Sequence, residues 1–331
     1  MKKAVTSRAE KGGDGLYQNR LLSYLDKQCP FKIIQIQPIR NQVYIVESEN
    51  DEFILKGFSS YHRYKLQEAY TASLKNEGFS KTYSFLDDVK DPPLSFDQFF
   101  FGCMEYIPPS DEAFSYEEEK NRKEGLALLD DYHLVSAQLV QRYRTLLPQY
   151  KQLEKWQERT AQFIHHLPLI KYFVQKEMIN EFLHWADWSI KGMNNETKFF
   201  QQGKQVILHG DVAHHNFLRA KDNHLYLLDF DLISVGAIQV DYLQYANRIL
   251  PSIHWSFDEL AQLAQLKPFL KEKGFLYALA FPTDIFREWN RAVRERLYGN
   301  PVKMRHILDL TVNHFQERQQ FILKLKQEAE S

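Results

Sequence analysis

VILHGDVAHHNFLRAKDNHLYLLDFD, residues 206–231, decides how this chain is read. It consists of an apolar run, a loop carrying His209, Asp211 and Asn216, a short connector, and a second apolar run ending in Asp229 and Asp231. Two carboxylates and a carboxamide at loop and strand ends are what a phosphoryl-transfer site needs. Asp211 can accept the proton of a substrate hydroxyl, while Asn216 and Asp229 can hold magnesium against the phosphates. Asp211 precedes Asn216 by five positions, so one loop can set both around one phosphate. The flanking apolar runs would form rigid walls for that loop. The stretch points to ATP-dependent transfer of phosphate to a small molecule.

Working outward, the chain of 331 residues is long enough for two packed lobes. Its 44% hydrophobic and 26% charged residues are ordinary for a globular protein, and 24 Phe and 18 Tyr imply large cores. A formal net charge of −1 supplies no basic field and argues against nucleic acid as a partner. The two cysteines, Cys29 and Cys103, form no Cys-x-x-Cys pair, so neither a disulfide framework nor a zinc site is read from them. The first residues lack the apolar core of a signal peptide, and no run approaches the ~18 apolar residues of a membrane span. The expectation is a cytosolic protein with no membrane partner, or one that reaches a surface by assembly.

Residues 1–15 are polar and Gly-rich. Their KGGDG has no preceding strand and no following Gly-Lys-Ser/Thr, so it reads as a frayed arm and not a phosphate loop. Strands are expected over 31–39 and 42–48 around a turn at Arg40–Asn41, and over 53–58. A helix is expected over 62–77, ended by Gly78, and then an acidic Pro-containing loop (DDVKDPP). FFFGCMEY at 99–106 reads as a buried strand stopped by Pro108 and Pro109. The pattern is helical from 111 to about 200 and again from about 239 to the end. The predicted fold is therefore α+β and two-lobed, a small sheet lobe over residues 1–106 and a larger helical lobe over 107–331.

Lys56 sits mid-strand, where an ammonium is costly unless it meets an anion, and Glu68 follows twelve residues later in the helix. A Lys–Glu pair bridging strand and helix would aim the ammonium at two nucleotide phosphates. At this point a resemblance emerges. HGDVAHHN is similar to the His-x-Asp-x-x-x-x-Asn loop of the aminoglycoside phosphotransferase and choline kinase family, and LLDFD at 227–231 resembles its Asp-Phe/Trp-Glu/Asp magnesium motif. Lys56 and Glu68 match its ATP-positioning pair, MEYIPP at 104–109 its interlobe hinge, and VDYLQYAN at 240–247 its Asp-Leu-Ala helix start. The likeness covers about residues 20–325. DFDLISVGAIQVDYLQYANRILPSIHW and LAFPTDIFREWNRAVRERL further resemble the CotS/YutH-type spore-coat-associated group of the same family.

The resemblance implies a protein-kinase-like fold with ATP between the lobes and adenine near Cys103–Ile107, a stretch that includes Glu105. It implies Asp211 as catalytic base, Asn216 and Asp229 as magnesium ligands, and Lys56, oriented by Glu68, as the α/β-phosphate contact. His209 would brace the loop and Asp241 would anchor it. The turn that should cover the phosphates, PIRNQVY at 38–44, contains no glycine, so Asn41 is the candidate substitute. The acceptor is expected to be a polar or cationic small molecule carrying a hydroxyl.

Other readings stand beside this one. His209, Asp211, His214 and His215 could form a metal-hydrolase cluster. His184, Trp185, Asp187 and Trp188 could line an acceptor pocket, or be core at helical spacing. Asp130 and Asp131, before His133, read as a helix surface and an interlobe contact, and Asp231 could share the face of Asp229 if its strand continues. The chain as a whole could be a catalytically weak or inactive scaffold whose partners are spore coat proteins.

Overall fold

The computed structural model describes residues 14–86 and 93–330. The N-terminal arm up to residue 13 and the acidic loop through residue 92 lie outside the described residues. One compact unit comprises the described residues up to Ser110 together with Ala220–His224; the other comprises Asp111–Arg219 and the described residues from Leu225 onward. The sequence reading divides the chain at 106/107. An antiparallel sheet unit and a largely helical one give the α+β organisation expected from sequence.

In the first unit, α1 (Asp14–Gln28) precedes β1 (Ile33–Arg40), β2 (Val43–Ser48) and β3 (Glu52–Phe58). Then come α2 (Tyr61–Asn76), β4 (Leu94–Phe96) and β5 (Phe99–Glu105). The five strands form one antiparallel sheet in the order β1-β2-β3-β5-β4. Side chains alternate across the sheet. Tyr44, Val46, Phe53, Leu55, Phe101 and Cys103 turn to one face, where Leu21 and Leu25 of α1 cover them. Lys56, one residue past Leu55, therefore belongs to the opposite face, and its side chain reaches Gln67 of α2. Ser60 caps α2, its hydroxyl accepting from the Arg63 amide. The periodicity argument missed α1, whose fully buried residues are only Leu21 and Leu25. It also missed the three-residue β4, which exists by pairing with β5.

The second unit opens with α3 (Glu119–Tyr143), α4 (Gln152–Ile170), α5 (Lys176–Asn195) and α6 (Thr197–Gln202). Four short strands follow: β6 (Gln205–Leu208), β7 (Phe217–Arg219), β8 (Leu225–Leu227) and β9 (Ser234–Ala237). The chain ends in α7 (Gln239–Ile249), α8 (Phe257–Gln262), α9 (Lys273–Leu279), α10 (Thr283–Arg294), α11 (Pro301–Val312) and α12 (Phe315–Glu330). β6 pairs with β9 and β7 with β8, both antiparallel. The stretch read from sequence as a connector is thus a hairpin. Its tip belongs to the first unit, where the Lys221 amide donates to Pro108 O at 2.9 Å. Trp185 and Trp188 are packing residues and not a pocket wall: Trp185 is buried and stacks on Phe315, and Trp188 lies against Tyr277.

The approach of α3 and α7 sets the site. Gly125 of α3 lies under Tyr245 of α7, whose hydroxyl donates to Arg122 O at 2.8 Å. A Cβ at Gly125 would stand 2.4 Å from that hydroxyl oxygen. Both helices must then separate or the buried Tyr245 must leave its place. Gly125→Ala is expected to cost about 1–3 kcal/mol, as overpacked cores do; a thermal melt unchanged from wild type would show that the two helices do not need this contact.

Candidate active site

Asp241, in the first turn of α7, is fully buried, and its carboxylate holds the loop of residues 209–216. Oδ2 accepts from the His209 amide at 2.7 Å and Oδ1 from the Gly210 amide at 3.0 Å. Nε2 of the buried His133, on α3, donates to Oδ2 at 2.9 Å. A buried carboxylate is tolerated only when its lone pairs are met by donors, and here three meet it. His133, given no role from the sequence, is a ligand of the anchor. The HLVSAQL context conceals this, because the partner lies 108 residues away.

Gly210 sits at φ +80°, and a Cβ there would stand 2.3 Å from Leu232 O. Glycine meets both demands, the left-handed backbone and the close approach. His209 Nε2 donates to Leu228 O at 2.9 Å, and its Nδ1 accepts from the Asp211 amide at 3.3 Å. Both ring nitrogens are committed to backbone groups, so His209 has no lone pair left for a metal. Among the described residues, no group of three His, Cys, Asp or Glu side chains is placed to hold one.

The same loop draws the predicted residues together. Asn216, 1% exposed at the end of a single 3-10 turn (His214–Asn216), donates from Nδ2 to Asp211 O at 2.8 Å. Its backbone O accepts from the Leu228 amide at 2.8 Å, which brings it beside the residue preceding Asp229. The Asn216 Oδ1 accepts no hydrogen bond among the described residues. A buried carboxamide whose nitrogen is fixed and whose oxygen is available has the donor chemistry that a hard divalent cation requires. Asp229 follows the end of β8 at φ +68°, a conformation costing roughly 1–2 kcal/mol, next to Leu228, whose amide and carbonyl are both hydrogen-bonded. β8 ends at Leu227, so Asp231 does not continue its alternation; it lies in a turn.

Asp211 itself is partly exposed, and its Oδ1 accepts from Arg248 Nη2 at 3.0 Å. Arg248 was not singled out in the sequence. It stands seven residues after Asp241 on α7, so the anchor and this guanidinium lie two helical turns apart. Partial burial and then the charge of Arg287 draw Arg248 below the usual guanidinium range, and Asp211 opposes them. Tyr116 also ties the loop, its hydroxyl donating to Val212 O at 2.6 Å; burial holds that phenol well above its ordinary range.

In the first unit, Lys56 is 5% exposed. Its Nζ donates to Gln67 Oε1 at 3.3 Å, and Tyr83 donates to the same oxygen at 3.1 Å. Gln67 is a second residue missed by sequence reasoning. Glu68 accepts from Lys65 at 2.8 Å and from Tyr64 at 3.4 Å. Asn41 is exposed in the β1–β2 turn, followed by Gln42 at φ +56°. Glu105, at the end of β5, accepts at 3.2 Å from both Lys75 Nζ and the Ser84 amide.

Replacing Asp241 by Asn would turn an amide N–H₂ toward donors that need an acceptor. Asp241→Asn is expected to destabilise the chain by about 3 kcal/mol or more. Equilibrium denaturation reads this directly, and a loss below about 0.5 kcal/mol, within the range of ordinary surface substitutions, would remove Asp241 from its anchoring role.

Three solved structures place this architecture. An aminoglycoside phosphotransferase from Alicyclobacillus acidocaldarius superposes with a TM-score of 0.70 at 14% identity, covering 99% of each chain. A spectinomycin phosphotransferase, solved with ADP and spectinomycin, gives 0.58 at 13% identity, covering 93% of this chain and 98% of that one. The choline kinase LicA from Streptococcus pneumoniae gives 0.52 at 13% identity, covering 95% and 100%. At such identities the likeness is one of fold, and it is the kinase-like fold expected above. No curated protein sequence matches the chain significantly. The model of the phosphotransferase enzyme family, however, matches residues 33–278, most of the chain; with the loop, the magnesium-type motif and the anchoring aspartate in place, the protein belongs to that family.

Proposed function

We propose that the chain is an ATP- and magnesium-dependent kinase that moves the γ-phosphate to a hydroxyl of a small polar acceptor. The observation that carries this reading is the loop cluster in which Asp211, Asn216 and the Leu228–Asp229 step are tied together and hung on Asp241. Nucleotide-binding roles fall to residues 1–106, and catalysis with acceptor binding to 107–331.

Asp211 receives the acceptor hydroxyl and takes its proton, with Arg248 fixing the carboxylate. It need not be a strong base: in a loose phosphoryl-transfer transition state, positioning and charge neutralisation dominate. Asn216, through its available Oδ1, and Asp229 hold magnesium, which when bound neutralises charge on the phosphates. Lys56, held by Gln67 and oriented by Glu68, contacts the α- and β-phosphates. Asn41 stands at the phosphate-covering turn in place of glycine, and the strand end at Glu105 flanks adenine. His209 braces the loop without touching substrate. The ADP carried by the spectinomycin phosphotransferase supports nucleotide use by this fold.

ATP with magnesium is expected to raise the melting temperature, as ligands of the native state do, and a chelator to reverse the rise. Asp211→Asn should keep that nucleotide shift while turnover falls about 10²-fold or more. No shift at millimolar nucleotide would favour the alternative, a kinase-like scaffold assembled with spore coat proteins.

A further inference from the structure

The catalytic loop adjoins a cavity of about 340 Å³ lined by Tyr150, Lys151, Lys155, Gly210, Leu232 and Ser234, among others. Ser234 pairs with Leu208 across β6 and β9, which sets it beside the start of the His209–Asp211 turn. It is 5% exposed, and its hydroxyl has no hydrogen-bond partner among the described residues. A buried hydroxyl left unmatched in a cavity wall is a donor awaiting a ligand.

Cations from several helices stand near this cavity. Lys155 and Arg159 come from α4, Arg248 from α7 and Arg287 from α10. Each guanidinium has a partner: Arg248 donates to Asp211 at 3.0 Å, Arg287 to Glu288 at 3.2 Å, and Arg159 to the neutral Thr283 hydroxyl at 2.8 Å. Glu288 is shared with Arg291 at 2.5 Å. Lys151 is paired with Glu154 at 2.9 Å, and Glu158 adds one more carboxylate to the lining. The lining itself holds two cations, Lys151 and Lys155, and two carboxylates, Glu154 and Glu158. Of the two lysines in the lining, Lys155 meets no carboxylate among the described residues; its ammonium lies 4.9 Å from the centre of the Tyr150 ring. Partial burial, Arg159 and Arg287 draw it below the usual ammonium range, and Asp211 opposes them.

We propose that this cavity binds the anionic group of the acceptor, so that the substrate is an alcohol bearing a carboxylate or a phosphate monoester, with Lys155 and Ser234 as its specificity-determining contacts. A cationic acceptor, one of the classes that the family resemblance implies, would leave Lys155 without an anionic partner. An anion supplies Lys155 with its missing partner and accepts from the Ser234 hydroxyl. The acceptor's own hydroxyl then lies toward Asp211, one residue beyond Gly210 in the cavity wall. On transfer, the hydroxyl oxygen forms its bond to the γ-phosphorus of ATP, the bond from that phosphorus to the β-bridging oxygen breaks, ADP leaves, and the hydroxyl proton passes to Asp211. Only this transfer step rests on the kinase reading; binding of the anion does not.

Glycerate, glycerol 3-phosphate, glycerol and choline separate the possibilities, since they offer a carboxylate, a phosphate, no charge and an ammonium on small alcohols. Without nucleotide, glycerate or glycerol 3-phosphate is expected to raise the melting temperature of the wild-type chain, and much less that of Lys155→Gln or Ser234→Ala; which of the two does so identifies the anion. With ATP and magnesium, the stabilising compound is expected to accelerate ADP release, and Lys155→Gln to raise its KM at least tenfold while kcat moves less. Stabilisation by choline or glycerol alone, or by none of the four, would overturn the proposal. So would a Lys155→Gln defect confined to kcat, which would give the cations to the transferred phosphate instead. An anion that binds while no ADP is released would leave the cavity assignment standing and count against the kinase reading.

Discussion

The geometry of the candidate site hangs on one buried carboxylate. Asp241 accepts from two consecutive backbone amides and from His133, and so converts a loop between two short strands into a fixed platform. Each donor alone is an ordinary contact. Together they neutralise a charge that would otherwise be intolerable away from water, which makes the arrangement all-or-none. Everything the loop presents follows from it: the His209 ring reaching Leu228, the Asp211 amide on His209, and the Asn216 carboxamide on the Asp211 carbonyl.

The anchor also explains the surrounding packing. α3 and α7 must lie close enough for His133 to reach Asp241, and Gly125 under Tyr245 is the local concession that permits it. Gly210 makes the matching concession in the loop, where the carbonyl of Leu232 leaves no room for a side chain. Since α7 carries both Asp241 and Arg248, the helix that fixes the loop also sets the guanidinium that meets Asp211. Support and chemistry are coupled through one rigid element, and a shift of α7 would disturb both.

Within the second unit, two carboxylates stand in contrasting surroundings. Asp241 is sealed from water and saturated with donors, whereas Asp211 is partly exposed and takes one guanidinium. The first arrangement suits a group that never changes partner; the second leaves Asp211 partly open to solvent.

The spacing of Asp211, Asn216 and Asp229, the strand position of Lys56 and the order of sheet and helices were legible in the residues themselves. They depend on local periodicity and on chemistry that only a few side chain types can perform. The expected strands and the helix of the first unit lie within a few residues of those observed, because alternation and capping act over short range. His133, Gln67, Arg248 and Ser234 were not legible: each is unremarkable beside its neighbours in sequence and gains meaning from a partner or a cavity that the fold brings to it. The hairpin around residues 217–227 escaped for the same reason, since three-residue strands are stabilised by pairing and not by their own propensity. The sequence by itself thus determined which chemistry the loop can carry. Tertiary structure alone decided which donors hold that loop still and which charges stand beside Asp211, because burial and long-range hydrogen bonds are properties of the folded arrangement.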